Sequence, residues 1–298
     1  MANQPTTTVN SRALDIAQLV RLPAMFTAIS NVIAAQWIAS NGNLDGWSLL
    51  LTLLASLCLY HGGMTLNDCF DSECDSRERP ERPIPSGRVS LAWAWRFGSG
   101  LLAAGVLLAF SLGVTTGLIA CALAAVIVLY DAGSRQGWPA ALNMGLCRYL
   151  NWLLALSVFG LNGSLALLAL PIFCYVTALT RISQQEVDAA ERRALVGAGV
   201  MVLLAALILA TLFAFGVLVN VAGLLVAALG FGLLAWRFGQ LARDFQPERI
   251  QALVSSLVFG IIPLDALLLL SAGFLWPALC LLLLLLPGKW LGRQLTVT

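Results

Sequence analysis

Charged residues are scarce in this sequence of 298 residues. Asp, Glu, Lys and Arg together make up 11% of it, whereas hydrophobic residues make up 59%, and the mean hydropathy is +0.87. So little charge cannot cover the surface of a soluble protein of this size. The composition therefore excludes a soluble globular protein and predicts that lipid surrounds much of the chain.

Histidine and net charge are also low. His61 is the only histidine, and the formal net charge is +2. One histidine cannot supply a zinc site or a His-based triad, so we expect it to be a packing residue. A charge this small gives no reason to expect nucleic-acid binding. The seven cysteines lack the spacing of a zinc site, and most lie inside apolar runs, so no disulfide framework is expected.

The chain also lacks a Pro-, Ser- or charge-rich stretch between two halves, and we expect one domain over residues 1–298. Residues 1–21 are polar and precede the first apolar run. Because a second apolar run follows soon after, rather than a soluble domain, the first run is expected to be a membrane anchor and not a cleaved signal peptide.

Long apolar runs are what the sequence does contain. A helix needs about 20 apolar residues to cross the hydrocarbon core, and the runs predict an all-α bundle of nine or ten transmembrane helices. They lie at 22–40, 47–66, 91–110, 114–131, 139–159, 164–181, 194–214, 218–236, 250–270 and 273–287. Nine spans are the alternative to ten because Pro263, Asp265 and Pro277 interrupt the last two runs.

Basic residues occur at only one end of these predicted helices. With ten spans, every second loop carries Arg or Lys and the other loops carry none, and Arg148 inside the fifth run is the exception. By the positive-inside rule, both termini and the arginine-rich loops are predicted to be cytoplasmic, in a multi-pass protein of the cell inner membrane. Arg148 is expected to face the bundle interior, near Asn143, Asn151 or an acidic partner.

Two predicted cytoplasmic loops, 67–90 and 182–193, are longer than the rest and rich in acids. Each follows the second helix of a group of four. Asn31 and Asn67 in the first group have counterparts in Asn151 and Gln184 in the second. The chain therefore predicts a pseudo-repeat of two four-helix units.

Three acids at the end of the second run, Asp68, Asp71 and Asp75, follow one another in steps of three and four residues. This spacing places them on one face of a helix. Close carboxylates repel one another unless a cation lies between them, and Mg²⁺ held by such oxygens usually also holds a substrate phosphate. Arginines, which suit phosphate oxygens, follow at 77, 79, 82 and 88. The segment predicts a Mg²⁺–diphosphate site; the alternative is a solvated loop whose acids and arginines pair with one another.

This segment also carries a family resemblance. Asn67-Asp68-x-x-Asp71-x-x-x-Asp75, followed by Arg79-Pro80 and by Arg-Pro-Ile-Pro-Ser-Gly-Arg at 82–88, resembles the first signature of the UbiA superfamily of intramembrane prenyltransferases. Arg21-Leu22-Pro23 opens the first run as the family's Arg-Pro does. Within the superfamily, Asn-Met-Gly-Leu-Cys-Arg at 143–148 and Ser-Gln-Gln-Glu-Val at 183–187 look most like the EboC-type branch.

The resemblance implies a helical bundle around a central cavity. In it, two acidic loops and Mg²⁺ bind an isoprenyl diphosphate, and a small aromatic or lipid acceptor captures the allylic cation. Membrane lipids are the expected surroundings, and nucleic acid is not an expected partner. The residues implied in catalysis are Asp68, Asp71, Asp131 and Arg135. Those implied in diphosphate binding are Asn67, Arg82, Arg88, Arg181 and Gln185. Those implied in Mg²⁺ binding are Asp68, Asp71, Asp75 and Glu186.

The second acidic loop departs from the family pattern. In place of Asp-x-x-x-Asp, residues 181–191 read Arg-Ile-Ser-Gln-Gln-Glu-Val-Asp-Ala-Ala-Glu, so the acids of this loop are Glu186, Asp188 and Glu191. The alternative function is therefore a non-catalytic carrier or assembly partner that binds a lipid diphosphate. An ion-coupled transporter ranks last, because only Arg148 and Asp265 lie deep within predicted helices.

Overall fold

The computed structural model describes residues 8–133, 136–186, 189 and 191–295, and all regular secondary structure within these residues is helical. This confirms the predicted all-α class. In chain order the helices are α1 (Thr8–Leu19), α2 (Met25–Ala39), α3 (Gly46–Phe70), α4 (Ser72–Glu78), α5 (Leu91–Leu112), α6 (Val114–Ala132), α7 (Gly137–Ser157), α8 (Gly163–Leu168), α9 (Leu170–Ser183), α10 (Arg192–Ala214), α11 (Val221–Arg243), α12 (Pro247–Ser271), α13 (Leu275–Leu282) and α14 (Leu285–Gln294).

Nine helical segments of the described chain are long and apolar enough to cross a membrane. They are α2 with the 3-10 turn before it, α3, α5, α6, α8 together with α9, α10, α11, α12, and α13 together with α14. The further helix α7 has 21 residues, about the length of a span. It is less apolar because it carries Asn143, Arg148 and Asn151, and it packs against α2, α6 and α9. The protein is a multi-pass membrane protein, as the sequence predicts.

The last two spans differ from the sequence prediction. The helix α12 continues through Pro263 to Ser271, so proline does not interrupt this span. A proline removes one backbone hydrogen bond, but residues on both sides of it, Ile262 and Leu264, are buried in the bundle. The final span extends from Leu275 to Gln294, further than the apolar run alone indicates, because the more polar α14 continues the helix.

The order of the long helices agrees with the predicted pseudo-repeat. One unit consists of α2, α3, α5 and α6, and the other consists of α7, α8 with α9, α10 and α11. In each unit a long polar loop follows the second helix. These loops lie at the same end of the bundle. Asn67 at the end of α3 bonds to Asp131 at the end of α6, and Gln184 after α9 bonds to the backbone of Gly137 at the start of α7. Because α7 begins only a few residues after α6 ends, both bonds are at one end of the bundle. We call this end the charged end.

The N-terminal helix α1 covers one side of the charged end. Leu19 of α1 is fully buried and packs with Cys69 of α3 and with Ile84 and Val89 of the loop that follows α4. The loop is therefore held between α1 and α3. From the sequence, residues 1–21 are predicted only to be a polar segment. The helix within this segment is seen only in the structure.

Candidate active site

Acidic and basic side chains form a partly buried cluster at the charged end. Arg21 Nη2 lies 3.2 Å from Asn67 Oδ1 and 3.3 Å from Asp68 Oδ1. Arg82 Nη1 lies 2.7 Å from Asp75 Oδ2 and 3.6 Å from Asp68 Oδ1. The side chains of Asp68 and Asp75 are only 8% and 7% exposed. These five residues, Arg21, Asn67, Asp68, Asp75 and Arg82, are called the head-group cluster below.

The local chain path explains why Asp68 and Asp75 meet. The helix α3 ends at Phe70, and the short helix α4 begins at Ser72 after a single intervening residue, Asp71. Because the two helices are nearly continuous, Asp75 lies about two turns beyond Asp68 on the same side. Asp71 is half-buried. The predicted placement of the three acids on one side is therefore largely confirmed, with a break in the helix at the middle acid.

Arg21 is a site residue that the sequence reasoning did not assign. It adopts a left-handed backbone conformation, φ 49°, immediately before the 3-10 turn Leu22–Ala24. A non-glycine residue rarely adopts this conformation. Arg21 lies in the connection between α1 and α2, and its guanidinium group contacts the end of α3. The signal in the sequence was the Arg-Leu-Pro segment at the start of the first span.

Asp131 joins the head-group cluster to the bundle interior. Asn67 Nδ2 donates a hydrogen bond to Asp131 Oδ1 at 3.0 Å, and Asp131 is only 4% exposed. It stands at the last turn of α6. The sequence placed Asp131 near the acceptor, and the structure places it beside Asn67, with its carboxylate in the wall of the interior cavity.

Two neighbouring cavities lie at and below the charged end. A polar cavity is lined by Arg21, Asn67, Asp71, Asp75 and Arg82, together with Cys74, Glu78 and Arg79. A mostly apolar chamber lies further inside and is lined by residues that include Leu59, Leu123, Ile127 and Asp131. Met64, Tyr130 and Met144 line both. The arrangement provides a polar compartment with an apolar compartment directly behind it.

The second acidic loop is held by its own hydrogen bonds. Arg181, which is 7% exposed, donates from Nη1 to Gln184 Oε1 at 2.9 Å and from Nη2 to Glu191 Oε2 at 2.5 Å. Gln185 Oε1 accepts from the backbone N–H of Glu191 at 2.8 Å. Arg181 and Gln185, both predicted to bind diphosphate, hold the described part of this loop together.

Glu186 connects the two loops electrostatically. Burial raises the pKa of Glu186, and the positive charge of Arg79 in the first loop acts in the opposite direction. The side chain is half-buried. Glu186 therefore lies close enough to Arg79 of the first loop for their charges to interact.

Another predicted diphosphate-binding residue, Arg88, lies outside the polar cavity. Arg88 donates from Nε to Asp15 Oδ1 at 2.7 Å and from Nη2 to the carbonyl oxygen of Glu81 at 2.9 Å. It is therefore engaged with α1 and does not line the polar cavity. Arg135, predicted to be catalytic, and Asp188 lie outside the described residues.

The predicted metal ligands do not form a compact cage. Among the described residues, no group of three His, Cys, Asp or Glu side chains is arranged to hold a metal ion. Arg82 lies between Asp68 and Asp75. Mg²⁺ nevertheless commonly uses one or two carboxylates and completes its shell with water and substrate phosphates. The carboxylates of Asp71 and Asp75 in one polar cavity fit that kind of site.

A polar compartment with carboxylates and guanidinium groups lies next to an apolar chamber inside a membrane bundle. This arrangement is expected of a protein that handles a lipid with an anionic head group. Comparison with known proteins makes the class specific. The sequence model of the UbiA prenyltransferase family matches residues 28–252, and the chain belongs to this family.

Two relatives are similar over part of their length. The digeranylgeranylglyceryl phosphate synthase of Methanosarcina barkeri is 38% identical over 152 residues, which cover 48% of this chain and 52% of the relative. The synthase of the same name from Methanosarcina mazei is 35% identical over 151 residues, or 50% of this chain and 52% of the relative. The chain thus spans about half the length of the curated relatives it matches.

Solved structures confirm the fold. A structure described as a digeranylgeranylglyceryl phosphate synthase in membranes superposes with a TM-score of 0.71 at 21% identity, over 88% of this chain and 99% of the other. A UbiA homolog from Archaeoglobus fulgidus bound to DMAPP and Mg²⁺ gives a TM-score of 0.69 at 15% identity, over 90% and 99% of the two chains. At these identities the likeness concerns the fold alone.

Proposed function

We propose that the protein is a Mg²⁺-dependent prenyltransferase that moves an isoprenyl group from an isoprenyl diphosphate to a small lipid or aromatic acceptor within the membrane. The observation that carries this proposal is the polar cavity of the head-group cluster, which shares Met64, Tyr130 and Met144 with the apolar chamber. A diphosphate suits the first compartment and an isoprenyl chain suits the second.

The residues of the polar cavity suit the departure of a diphosphate. Arg21 and Arg82 present guanidinium donors, which bind phosphate oxygens well. Each has several N–H groups, so it can keep its carboxylate partner and still donate to the substrate. The carboxylates of Asp71 and Asp75, with that of Glu186 from the second loop, would hold Mg²⁺. The positive charge of the ion would neutralise the diphosphate. The bond between C1 and oxygen then breaks, and its electron pair leaves with the diphosphate.

The chamber suits the second half of the reaction. Its apolar wall, which includes Leu59, Leu123 and Ile127, excludes water from the allylic cation. The acceptor nucleophile forms the new bond to C1 of the isoprenyl group. Asp131, at the junction with the head-group cluster, is placed to accept the proton that the nucleophile loses.

Relatives and related structures support this assignment. The relatives that match over about half their length are named as digeranylgeranylglyceryl phosphate synthases. Related structures are described as bound to DMAPP or GPP with Mg²⁺. A lipid acceptor with a glycerol phosphate head group is thus one acceptor to test beside aromatic ones. The finer placement in the EboC-type branch rests on the segments at 143–148 and 183–187 alone.

The placement of the protein in the cell is part of the same proposal. We place the charged end and both termini on the cytoplasmic side of the inner membrane, because the arginine-rich loops lie at that end. Soluble isoprenyl diphosphates then have direct access to the polar cavity. We also treat residues 1–298 as one domain.

Asp71→Asn tests the proposal, with Glu73→Gln as its control. Glu73 lies two residues away but is exposed and pairs with Arg77. In detergent and with a panel of acceptors, D71N is expected to lose Mg²⁺-dependent release of pyrophosphate from geranyl or farnesyl diphosphate, whereas E73Q retains it. Melting temperatures of both variants establish that they are folded. Undiminished turnover in folded D71N would overturn the assignment of the site.

A further inference from the structure

A third cavity lies between α11 and α12, outside the candidate active site. Its volume is about 350 Å³, which is within the range of ligand pockets. Among the described residues, none lines both this cavity and either compartment of the active site. Its wall includes Val226, Gly230, Leu233 and Arg237 of α11 and Gly260 and Pro263 of α12. We call this cavity the α11–α12 groove.

The groove is closed towards the interior and open to the outside of the bundle. Buried Tyr175 of α9 and Leu257 of α12 line it, and the Tyr175 hydroxyl donates to the Leu257 carbonyl oxygen at 2.9 Å. Val226 and Leu233 also line it, and they are 48% and 51% exposed. Nothing lies within 4 Å of the Cβ position of Gly230. Because lipid surrounds a membrane bundle, the open side of the groove faces lipid chains.

Arg237 stands on the side of the groove nearest the charged end. The helix α11 ends at Arg243, about 9 Å further along its axis. This end of α11 is at the charged end, because α12 begins there: the Gln251 side chain in α12 donates to the backbone carbonyl oxygen of Glu186 in the second acidic loop at 3.2 Å. An arginine at this depth extends its side chain towards the phosphate groups of the lipid leaflet.

The charge of Arg237 has no counter-ion in the described part of the chain. No carboxylate oxygen of the described residues lies within the 4.0 Å limit of an ion pair with it. Its Nη1 donates to Ser256 Oγ, a neutral partner, at 3.2 Å. A guanidinium group has five N–H donors in all, so several can still donate to an anion. Charge complementarity therefore favours a phosphate at this position.

The rest of the groove limits the shape of the partner. Its wall is mostly apolar, so it suits a hydrocarbon chain. A transmembrane helix from a second copy would be too bulky. Such a helix is at least about 10 Å wide, so the volume of the groove would hold only about 5 Å of its length, which is less than one turn. An anion that carries a flexible hydrocarbon chain matches both Arg237 and the apolar wall.

We propose that the α11–α12 groove binds an anionic phospholipid, with the lipid phosphate at Arg237 and one acyl chain between the two helices. Basic pockets between transmembrane helices recognise anionic head groups in this way. The groove shares no described residue with the two compartments of the active site. The proposal therefore does not depend on the proposed function.

Phosphatidylglycerol and phosphatidylcholine with identical acyl chains test the proposal, because the first has a net negative charge and the second has none. Native mass spectrometry of the full chain in detergent measures how strongly each lipid binds at the first site that is filled. The wild type is expected to bind phosphatidylglycerol about tenfold more tightly, as for one charge-assisted hydrogen bond.

Two variants and their matched controls complete the experiment. R237Q is expected to abolish the preference, whereas R243Q, which removes the same charge from the end of α11 outside the groove, retains it. G230L is expected to fill the groove and to weaken phosphatidylglycerol binding about tenfold or more, because the acyl chain loses contact for several methylene groups. G232L is its control, since nothing lies within 4 Å of the Gly232 Cβ position either and this residue does not line the groove. Melting temperatures establish that the variants are folded.

Four results would overturn the proposal. The first is equal binding of the two lipids by the wild type. The second is a preference that R237Q leaves undiminished or that R243Q lowers equally. The third is undiminished phosphatidylglycerol binding in folded G230L. The fourth is a dimer that dissociates in G230L and not in G232L, because a second copy of the chain would then be the occupant of the groove.

Discussion

Arg82 Nη1 lies 2.7 Å from Asp75 Oδ2, which ties the loop after α4 to α4 itself. The same nitrogen lies 3.6 Å from Asp68 Oδ1 at the end of α3. One guanidinium group thus lies between two buried carboxylates, and its positive charge offsets the repulsion between them. The cation that sequence analysis expected between these acids was Mg²⁺. The structure shows that an arginine of the same motif occupies part of that role.

Removing Arg82 should therefore destabilise the protein. In Arg82→Gln, Asp68 loses one cationic neighbour and Asp75 loses its ion-pair partner, and breaking a buried pair in this way costs about 3 kcal/mol. Thermal or denaturant unfolding in detergent measures the effect. The control is Arg77→Gln, because the side chains of Arg77 and Glu73 are 78% and 87% exposed, and such a pair contributes less than about 1 kcal/mol. Equal stability losses in the two variants would contradict this account.

The sequence identified the segment in which these acids and arginines lie but not the partners that they have in the structure. Steps of three and four residues determine which side of a helix Asp68 and Asp75 share, so this part of the site follows from local geometry. The contact of Arg21 with Asn67 and Asp68 depends on how the connection between α1 and α2 packs against the end of α3. That is a long-range relationship, and no local pattern contains it.

Arg88 provides a second case of the same kind. Arg88 is predicted to bind the diphosphate because it follows the acids in the family-like segment, whereas the structure pairs it with Asp15. In Arg88→Ala, α1 should become less well held at the charged end, and hydrogen exchange of its backbone amides should increase. The loss of global stability should be below about 1 kcal/mol, because the Arg88 side chain is 42% exposed and solvent screens the pair. The KM for isoprenyl diphosphate should be unchanged, and a large increase in it would restore the predicted binding role.

Gly145 tests how closely α7 and α9 pack beside the chamber. A Cβ at this position would lie 2.8 Å from the carbonyl oxygen of Phe173 and would also overlap Thr177 Oγ1. Gly145→Ala should therefore destabilise the bundle by about 1–3 kcal/mol, the usual effect of overpacking. Gly199→Ala in α10 is the control, since nothing lies within 4 Å of its Cβ position. That variant should be neutral or slightly stabilising, and a melting temperature that falls equally in both would contradict the packing account.

Glu186 should make stability depend on pH. Burial raises its pKa in the folded protein, so the folded state binds this proton more tightly than the unfolded chain. The free energy of unfolding should then decrease as pH rises from the ordinary Glu pKa of about 4.3 through the raised folded value, and stay constant above it. Glu186→Gln removes this titration, so its stability relative to the wild type should increase over that window.

Melting temperatures of both proteins from about pH 4 to about pH 7, in buffer without Mg²⁺, measure this difference. Glu73→Gln again serves as the control, because the Glu73 side chain is 87% exposed. A difference between E186Q and the wild type that is the same at every pH would contradict the raised pKa.

The fold was more predictable than the site. The length and apolarity of the runs were enough to locate the spans, because the bilayer determines how long and how apolar a spanning helix must be. Pro263 was the main exception, since its effect depends on the helices around α12 and not on the sequence of α12. Arg148 was correctly placed inside the bundle. Its contacts with Thr27 and Asn31 could not be predicted, because they depend on which helix packs against α7. Arg135 remains a prediction from the family resemblance.

The central claim is that the protein transfers an isoprenyl group and does not merely carry a lipid diphosphate. The most direct test is pyrophosphate release by the purified wild-type protein, given geranyl or farnesyl diphosphate and an acceptor panel, with Mg²⁺ or with EDTA. Our account predicts release that requires both Mg²⁺ and an acceptor, with the prenylated acceptor formed in equal amount. Mg²⁺-dependent binding of the diphosphate without release would contradict it and would identify a carrier.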